Sequence, residues 1–183
     1  MKRNQFLLTT MAALPAFAFT KIAADTVNTK EPFIVRSGKN RSGEQMMKFM
    51  GTHPNDIVIS RKDTGNAMSV FLFNGNGNAA TPLHVHFHQD EFFYVIDGQY
   101  RFVCGEMKSE LHPGDTIFLP RNIPHQWLQL SENGKLLYAV NPAGTLEDMF
   151  KELNELKAPL TETELAKILA KHGQELLGPP MRP

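Results

Sequence analysis

Between Glu31 and Asn141 the chain alternates short apolar stretches with turn residues. Within these stretches the apolar positions alternate or run continuously for a few residues, which is typical of β-strands. Glycine and asparagine between the stretches supply the positive φ angles that tight hairpins require. The pattern predicts an all-β sandwich or barrel. The predicted strands are 33–36, 57–60, 68–73, 83–87, 92–96, 100–104, 116–119, 127–130 and 136–140.

Toward the C-terminus the apolar period changes from two residues to about 3.6, which predicts two short α-helices. Thr145 and Asp148 predict a capping box at the first helix, and Thr161 and Glu164 predict one at the second, which ends before Gly173. We expect both helices to pack on the outside of the barrel. Their apolar faces are Leu146, Met149, Phe150 and Leu153 in the first and Leu165, Ile168 and Leu169 in the second, and we interpret Met149 and Phe150 as packing residues.

Residues 1–24 have the order of a secretory signal peptide. Lys2 and Arg3 precede an apolar run over 5–20, and small residues near its end offer cleavage sites. A buried first helix or a membrane anchor is the alternative, but Pro15 interrupts the run and no cysteine follows it to accept a lipid. We expect an exported protein, periplasmic or extracellular, with no stable membrane anchor. The predicted organisation is a signal peptide over 1–24, a β-barrel with N-terminal strands over 25–144 and a helical extension over 145–183.

Length and charge restrict the classes of partner. The 183 residues suit one domain, and the 19 basic and 19 acidic side chains balance to a formal net charge of zero. No block of like charge predicts a nucleic-acid surface. Cys104 is the single cysteine, so an internal disulfide is excluded, and we expect it to be a small buried apolar residue.

A group of histidines carries the candidate chemistry. His84, His86 and His88 occupy alternate positions of a predicted strand, so all three point to one face. Glu91 follows a two-residue turn and starts the next strand along the chain. His88 is interpreted as a residue at the rim or behind the ligands, or as a solvated histidine at the strand end. His53, His112 and His172 lie in predicted turns or helix ends and are expected at the surface.

The spacing of these residues resembles the two motifs of the cupin superfamily. The first motif is H-x-H, three or four residues, E, six residues, G, and His84, His86, Glu91 and Gly98 match it. The resemblance implies a double-stranded β-helix, the jelly-roll barrel of the cupins. In the second motif Gly114, Pro120 and His125 match, whereas Asn122 replaces a glycine and Gln129 replaces an asparagine.

The resemblance implies that His84, His86, Glu91 and His125 bind one divalent metal. Three nitrogen donors with one carboxylate suit Fe, Mn, Co, Ni, Cu or Zn, and four protein ligands leave positions open for substrate or O₂ on a six-coordinate ion. The alternative is that the histidines are satisfied core residues. Neither replaced position of the second motif is a metal ligand in the family.

Strand parity extends the candidate site to a pocket wall. If His125 points inward, Trp127 and Gln129 do too, and if Glu91 points inward, so does Phe93. These side chains would give the metal an aromatic-lined cavity that suits a planar apolar substrate. The alternative is that the rings only fill the barrel core.

The stretches 90–98, 141–144, 172–173 and 177–180 resemble the quercetin 2,3-dioxygenase-like single-domain cupins. This resemblance implies an oxidoreductase whose substrates are a flavonol and O₂, which opens the ring with loss of carbon monoxide, and in which Glu91 is the base. A non-redox metal-dependent isomerase or lyase, or a periplasmic small-molecule-binding protein without catalysis, are the alternatives. A homodimer formed through an edge strand also stays open.

Overall fold

A computed structural model describes residues 31–42, 48–49, 53–156 and 160–183, with the backbone alone at 48–49. The predicted signal peptide lies outside these residues. The strands and helices named below belong to one compact unit, Phe33–Pro183. In the described part of the chain, no helix has the length and apolar character needed to cross a membrane.

The described strands form two sheets, and every pair within them is antiparallel. This architecture confirms the predicted all-β jelly-roll sandwich. The six-stranded sheet has the order β1 (Lys48–Phe49), β2 (His53–Ile59), β3 (Ser69–Asn76), β10 (Asn133–Asn141), β5 (Asp90–Asp97) and β8 (Thr116–Leu119). The five-stranded sheet has the order β11 (Gln174–Pro180), β4 (Pro82–His86), β9 (His125–Gln129), β6 (Tyr100–Cys104) and β7 (Met107–Leu111).

Aromatic rings fill the space between the sheets. Tyr138 on β10 stacks on Phe71 of β3 and Phe93 of β5, with ring centroids 4.9 and 5.0 Å apart. Phe93 meets Phe102 of the five-stranded sheet at 5.2 Å. These contacts follow from strand alternation, because directly paired residues of neighbouring strands point to the same face. Cys104 is buried beside this core, as predicted.

Within the described residues, three helices accompany the sheets: α1 (Arg61–Thr64), α2 (Leu146–Glu155) and α3 (Glu162–Lys171). The capping box of Thr161 and Glu164 at α3 is confirmed. The one predicted at Thr145 is wrong, because the Thr145 side chain makes no capping hydrogen bond. Buried Glu147 ties α2 to the sandwich instead: its carboxylate accepts hydrogen bonds from Ser60 Oγ at 2.9 Å and Ser69 Oγ at 2.6 Å.

The C-terminal segment differs from the prediction in two ways. Its helices do not merely cover the outside of the barrel, because the apolar sides of α2 and α3 join the central core. After α3 the chain also forms β11, which extends the five-stranded sheet beside β4. The two prolines and the glycine in 178–180 hid this strand, since both residue types are depleted in strands.

Two further strand assignments needed correction. Residues 33–36 are not a strand. Strand β7 was not predicted because its side chains are mostly exposed and polar, so it lacks an apolar alternation.

Candidate metal centre

Three histidines and one glutamate converge between the two sheets. His84 and His86 come from β4, and His125 lies directly opposite His84 on β9. Glu91 comes from β5 in the other sheet. One donor atom from each of these four side chains lies within 4.8 Å of all the others. The structure therefore brings together the four residues that the sequence singled out as metal ligands.

A hydrogen bond at Nδ1 orients each histidine ring. His84 Nδ1 lies 2.8 Å from the carbonyl oxygen of Pro82, and His125 Nδ1 lies 2.9 Å from that of Ile123. A carbonyl oxygen only accepts hydrogen bonds, so both Nδ1 atoms carry the proton. Neutral rings of this form present the lone pair of Nε2, which is the arrangement that metal-binding histidines use.

Burial and mutual proximity set the charges of the site. Burial, with the nearby His125 and His86, lowers the pKa of His84 to about 3, and burial likewise lowers the pKa of His86. For Glu91, burial acts to raise the pKa, but the histidines, with His86 and His125 foremost, outweigh it and lower the pKa to about 2. At neutral pH His84 and His86 are thus neutral donors and Glu91 is an anion.

The distances between the candidate ligand atoms fit a first-row divalent ion. Ligand atoms about 2.0–2.2 Å from such an ion lie roughly 3 Å apart when adjacent and about 4.2 Å apart when opposite. Glu91 Oε2 is 3.3 Å from Nε2 of His125, and Glu91 Oε1 is 3.7 Å from Nε2 of His86. The buried His125 Nε2 has no hydrogen-bond partner among the described residues. A buried polar atom without a partner costs free energy of folding, and a metal ion bound to His125 Nε2 would supply that partner.

An apolar cavity adjoins three of the four side chains, those of His84, His86 and Glu91. Its empty volume is about 620 Å³, which includes space open to solvent. The sheets supply one side of its wall, and α2 and α3 supply the other. Beyond these three candidate ligands, its wall consists of Phe73, Thr81, Pro82, Phe93, Trp127, Tyr138, Leu146, Met149, Phe150, Leu153, Leu165, Leu169 and Gln174.

Two of the three predicted pocket residues line this cavity. Phe93 and Trp127 do, whereas Gln129 does not. Gln129 points inward as parity required, but its amide Nε2 donates to the carbonyl oxygens of Ser131 and Glu132 at 2.9 and 3.3 Å. It lies four residues beyond His125 along β9, too far along the strand to reach the space beside the metal ligands.

Several residues near the site were missed from the sequence. Gln89, assigned to a turn, is buried and contacts His86, and Gln174 and Tyr138 line the cavity. His172, expected at the surface, is buried, and its Nε2 lies 3.1 Å from Glu152 of α2. No periodic signal marks such positions, because they depend on contacts between distant segments.

His88 is exposed and stands apart from the four converging side chains. Although it shares the strand parity of His84 and His86, it lies beyond the end of β4. The exposed His112 also agrees with its predicted surface position.

Comparison with known proteins gives matches of limited extent. Over 108 residues the chain is 28% identical to a Bacillus subtilis protein named quercetin 2,3-dioxygenase, covering 59% of this chain and 31% of that protein. Over 46 residues it is 35% identical to an uncharacterised protein of Methanocaldococcus jannaschii, covering 25% of this chain and 37% of that one. The chain thus spans about a third of each of these relatives.

The fold comparison agrees with the sequence comparison. A Thermotoga maritima crystal structure, described as a predicted oxalate decarboxylase, aligns with a TM-score of 0.53 at 16% identity, over 60% of this chain and 99% of that chain. Residues 71–140 match the family described as the cupin domain. Residues 71–140 are thus a cupin domain, and the two-sheet jelly roll and the cluster of three histidines and a glutamate agree with this match.

Proposed function

We propose that this cupin is a metal-dependent dioxygenase that opens a planar, largely apolar hydroxylated ring, such as a flavonol, with O₂. One observation carries the proposal: a cluster of three histidines and a glutamate opens on a cavity with an aromatic and aliphatic wall. The described lining residues include no lysine or arginine. A substrate with several carboxylates would find no cationic partner in this wall, so the wall favours an uncharged ring.

The wall residues bind and orient the ring. Trp127 and Phe73 meet edge to face with centroids 5.1 Å apart, and Phe93 continues the aromatic surface on the same sheet as Phe73. Across the cavity Phe150 and Leu153 of α2 supply an apolar counterpart. Such a cavity excludes water from the reacting centre, which strengthens the electrostatic interactions within it.

The four candidate ligands, three of which line the cavity, supply the polar chemistry. His84, His86, Glu91 and His125 would hold the ion, and a divalent metal there would lower the pKa of a bound hydroxyl group and stabilise the resulting negative charge. Glu91 is an anion at neutral pH and contacts the same space. In this proposal it accepts the proton of the substrate hydroxyl group at hydrogen-bond distance.

The similarity to the Bacillus protein named quercetin 2,3-dioxygenase supports this choice of reaction. Because the alignment covers only 31% of that protein, its activity is a proposal for this chain. The order of residues 1–24 further supports a location outside the cytoplasm. An N-terminal sequence of the mature protein that begins near residue 25 would support export, and an intact Met1 would contradict it.

The function is tested by metal loading and turnover. The metal-free protein is loaded separately with Fe(II), Mn(II), Co(II), Ni(II), Cu(II) and Zn(II) under anaerobic conditions, and quercetin and O₂ are then added. The proposal expects one carbon monoxide released for each O₂ consumed with at least one metal, and ¹⁸O from ¹⁸O₂ in the product. Flavone, which lacks the 3-hydroxyl group, is the matched control and should not react.

The same series separates the alternative functions. A loaded protein that binds flavonols without consuming O₂ would point to a binding protein. Conversion without O₂ would point to an isomerase or lyase. Either result contradicts the dioxygenase.

A further inference from the structure

The three histidines of the metal centre are not held in the same way. Backbone carbonyl groups two residues earlier in the chain hold the Nδ1 atoms of His84 and His125. A side chain holds His86 instead: its Nδ1 lies 3.1 Å from Oε1 of Gln89. The orientation of His86 therefore depends on the identity of one residue, whereas the other two rings depend on backbone groups present in any sequence.

A second hydrogen bond determines which way the Gln89 amide faces. Its Nε2 donates to the carbonyl oxygen of Ala143 at 2.6 Å. Because this carbonyl oxygen can only accept, the NH₂ group must face Ala143 and the amide oxygen must face His86. An amide oxygen also only accepts, so His86 Nδ1 carries the proton and Nε2 is left as the donor to a metal.

The surroundings of Gln89 leave it little freedom. The side chain is 3% exposed. A Cβ atom on Gly144 would lie 2.9 Å from Gln89 Nε2 and 3.2 Å from its Cδ, so the missing side chain at Gly144 makes room for the amide. Gly144 also has φ of +54°, a conformation that disfavours other residues. The amide is thus enclosed between a metal ligand and the segment that leads into α2.

We propose that Gln89 is a positioning residue of the metal centre. Its amide fixes the tautomer and orientation of His86 and ties this ligand to the Ala143 carbonyl group, three residues before α2 begins. Since α2 lines the cavity, the ligand and the cavity wall share one hydrogen-bonded link. The inference rests on the metal site of the proposed function, but it does not depend on the reaction or the substrate.

Two substitutions at Gln89 and one control test the inference. Gln89→Met keeps the length of the side chain and removes both polar atoms, whereas Gln89→Glu keeps an oxygen that accepts from His86. Gln129→Met is the matched control, because Gln129 is also buried and its amide Nε2 donates to backbone carbonyl groups, those of Ser131 and Glu132, yet it lies outside the cavity and four residues beyond His125 along β9. The measurements are the Zn(II) dissociation constant, by competition with a chelator, and the visible spectrum of the Co(II)-loaded protein.

We expect Gln89→Met to weaken Zn(II) binding by about 10- to 100-fold, which is typical when a group that orients a ligand is lost, and to shift the Co(II) bands. Gln89→Glu keeps the acceptor for His86 but loses the donor to Ala143, so it should bind Zn(II) more tightly than Gln89→Met but less tightly than the wild type, and Gln129→Met should match the wild type. A folded Gln89→Met protein with wild-type affinity and spectrum would overturn the inference. Absence of metal binding by the wild type would instead overturn the proposed function.

The tautomer offers a test that needs no variant. In ¹⁵N spectra of the wild-type protein, His86 should appear with its proton on Nδ1 and with slow exchange of that proton. Observation of the Nε2-protonated form would overturn the inference even if Gln89→Met failed to fold.

Discussion

Glu91 Oε2 lies 3.3 Å from Nε2 of His125, although the two residues belong to different sheets. The histidines all stand on the five-stranded sheet, so the acid completes the site only because the two sheets pack face to face. The geometry of the site therefore depends on how the two sheets pack. Substitutions that alter this packing should change the metal affinity even when all four ligands are kept.

Glu91 has two proposed roles, as a ligand and as a base. In Glu91→Gln the three histidines remain, so we expect metal binding to weaken but persist. Turnover of a confirmed substrate should fall by about 10²- to 10⁴-fold, the usual contribution of a positioned proton acceptor. His125→Ala should lose metal and activity together. Parallel metal analysis and steady-state kinetics separate the two outcomes.

The control for Glu91 is Glu110→Gln on β7, an exposed glutamate paired with Arg101 at 2.7 Å. It removes the same charge at a distance from the site and should leave turnover as in the wild type. If Glu91→Gln retained full turnover on any substrate, Glu91 would not be the base.

The metal-free protein should lose stability as the pH falls below about 6.5. The folded state lowers the pKa of His84 from 6.5 to about 3, mainly through burial, so between these values the unfolded chain binds a proton that the folded chain does not. From pH 6.5 to pH 5 this difference costs on the order of 2 kcal/mol of unfolding free energy. The lowered pKa of His86 acts in the same direction.

Urea unfolding at pH 7 and pH 5 in the presence of a chelator measures this loss. His84→Leu removes the group and should show a smaller decrease between the two pH values, whereas exposed His112→Ala should behave as the wild type. Equal pH dependence in the wild type and in His84→Leu would show that burial of this histidine is not the cause.

The motif spacing predicted the four converging residues because it reports strand parity. Residues two apart on β4 must point to the same face, and the three-residue connection 87–89 leads to β5, in which Glu91 is the second residue. Parity does not say which sheet a strand joins, however. The placement of β5 opposite β4 followed only from the structure. Parity correctly predicted that the Gln129 side chain points inward. It did not give the distance along the strand between Gln129 and the metal ligands.

Features that depend on contacts between distant segments had no sequence signal. Gln89 looked like a polar turn residue, and its role depends on Ala143, 54 residues away. The apolar stripes of α2 and α3 were found from their period, but their position against the cavity was not. A period identifies a buried face, and the tertiary structure decides what that face meets.

Glu147 should be essential for the attachment of α2. Its buried carboxylate accepts hydrogen bonds from two hydroxyl groups, those of Ser60 and Ser69. In Glu147→Gln the charge and one accepting oxygen are lost, so the charge-assisted hydrogen bonds from the hydroxyl groups weaken, which costs about 1–2 kcal/mol. Chemical denaturation should show this loss, whereas Glu155→Gln, at an exposed position of the same helix, should not change the stability. Equal stability of the two variants would contradict this role.

Strand β11 should be required for metal binding, although it contributes no ligand. Gln174 pairs with His86 and Leu176 with His84, while on its other side β4 is paired with β9 at the single position His84 and His125. A chain that ends at Gly173 would leave one edge of β4 unpaired, so the two ligands on it would lose their fixed orientation. We expect Zn(II) affinity to fall at least about 10-fold, as when orienting groups are removed.

The control is a chain that lacks only Met181–Pro183, beyond the end of β11, and should bind Zn(II) as the wild type does. Unchanged affinity in the longer truncation, with folding verified by circular dichroism, would show that β4 holds its histidines without this partner.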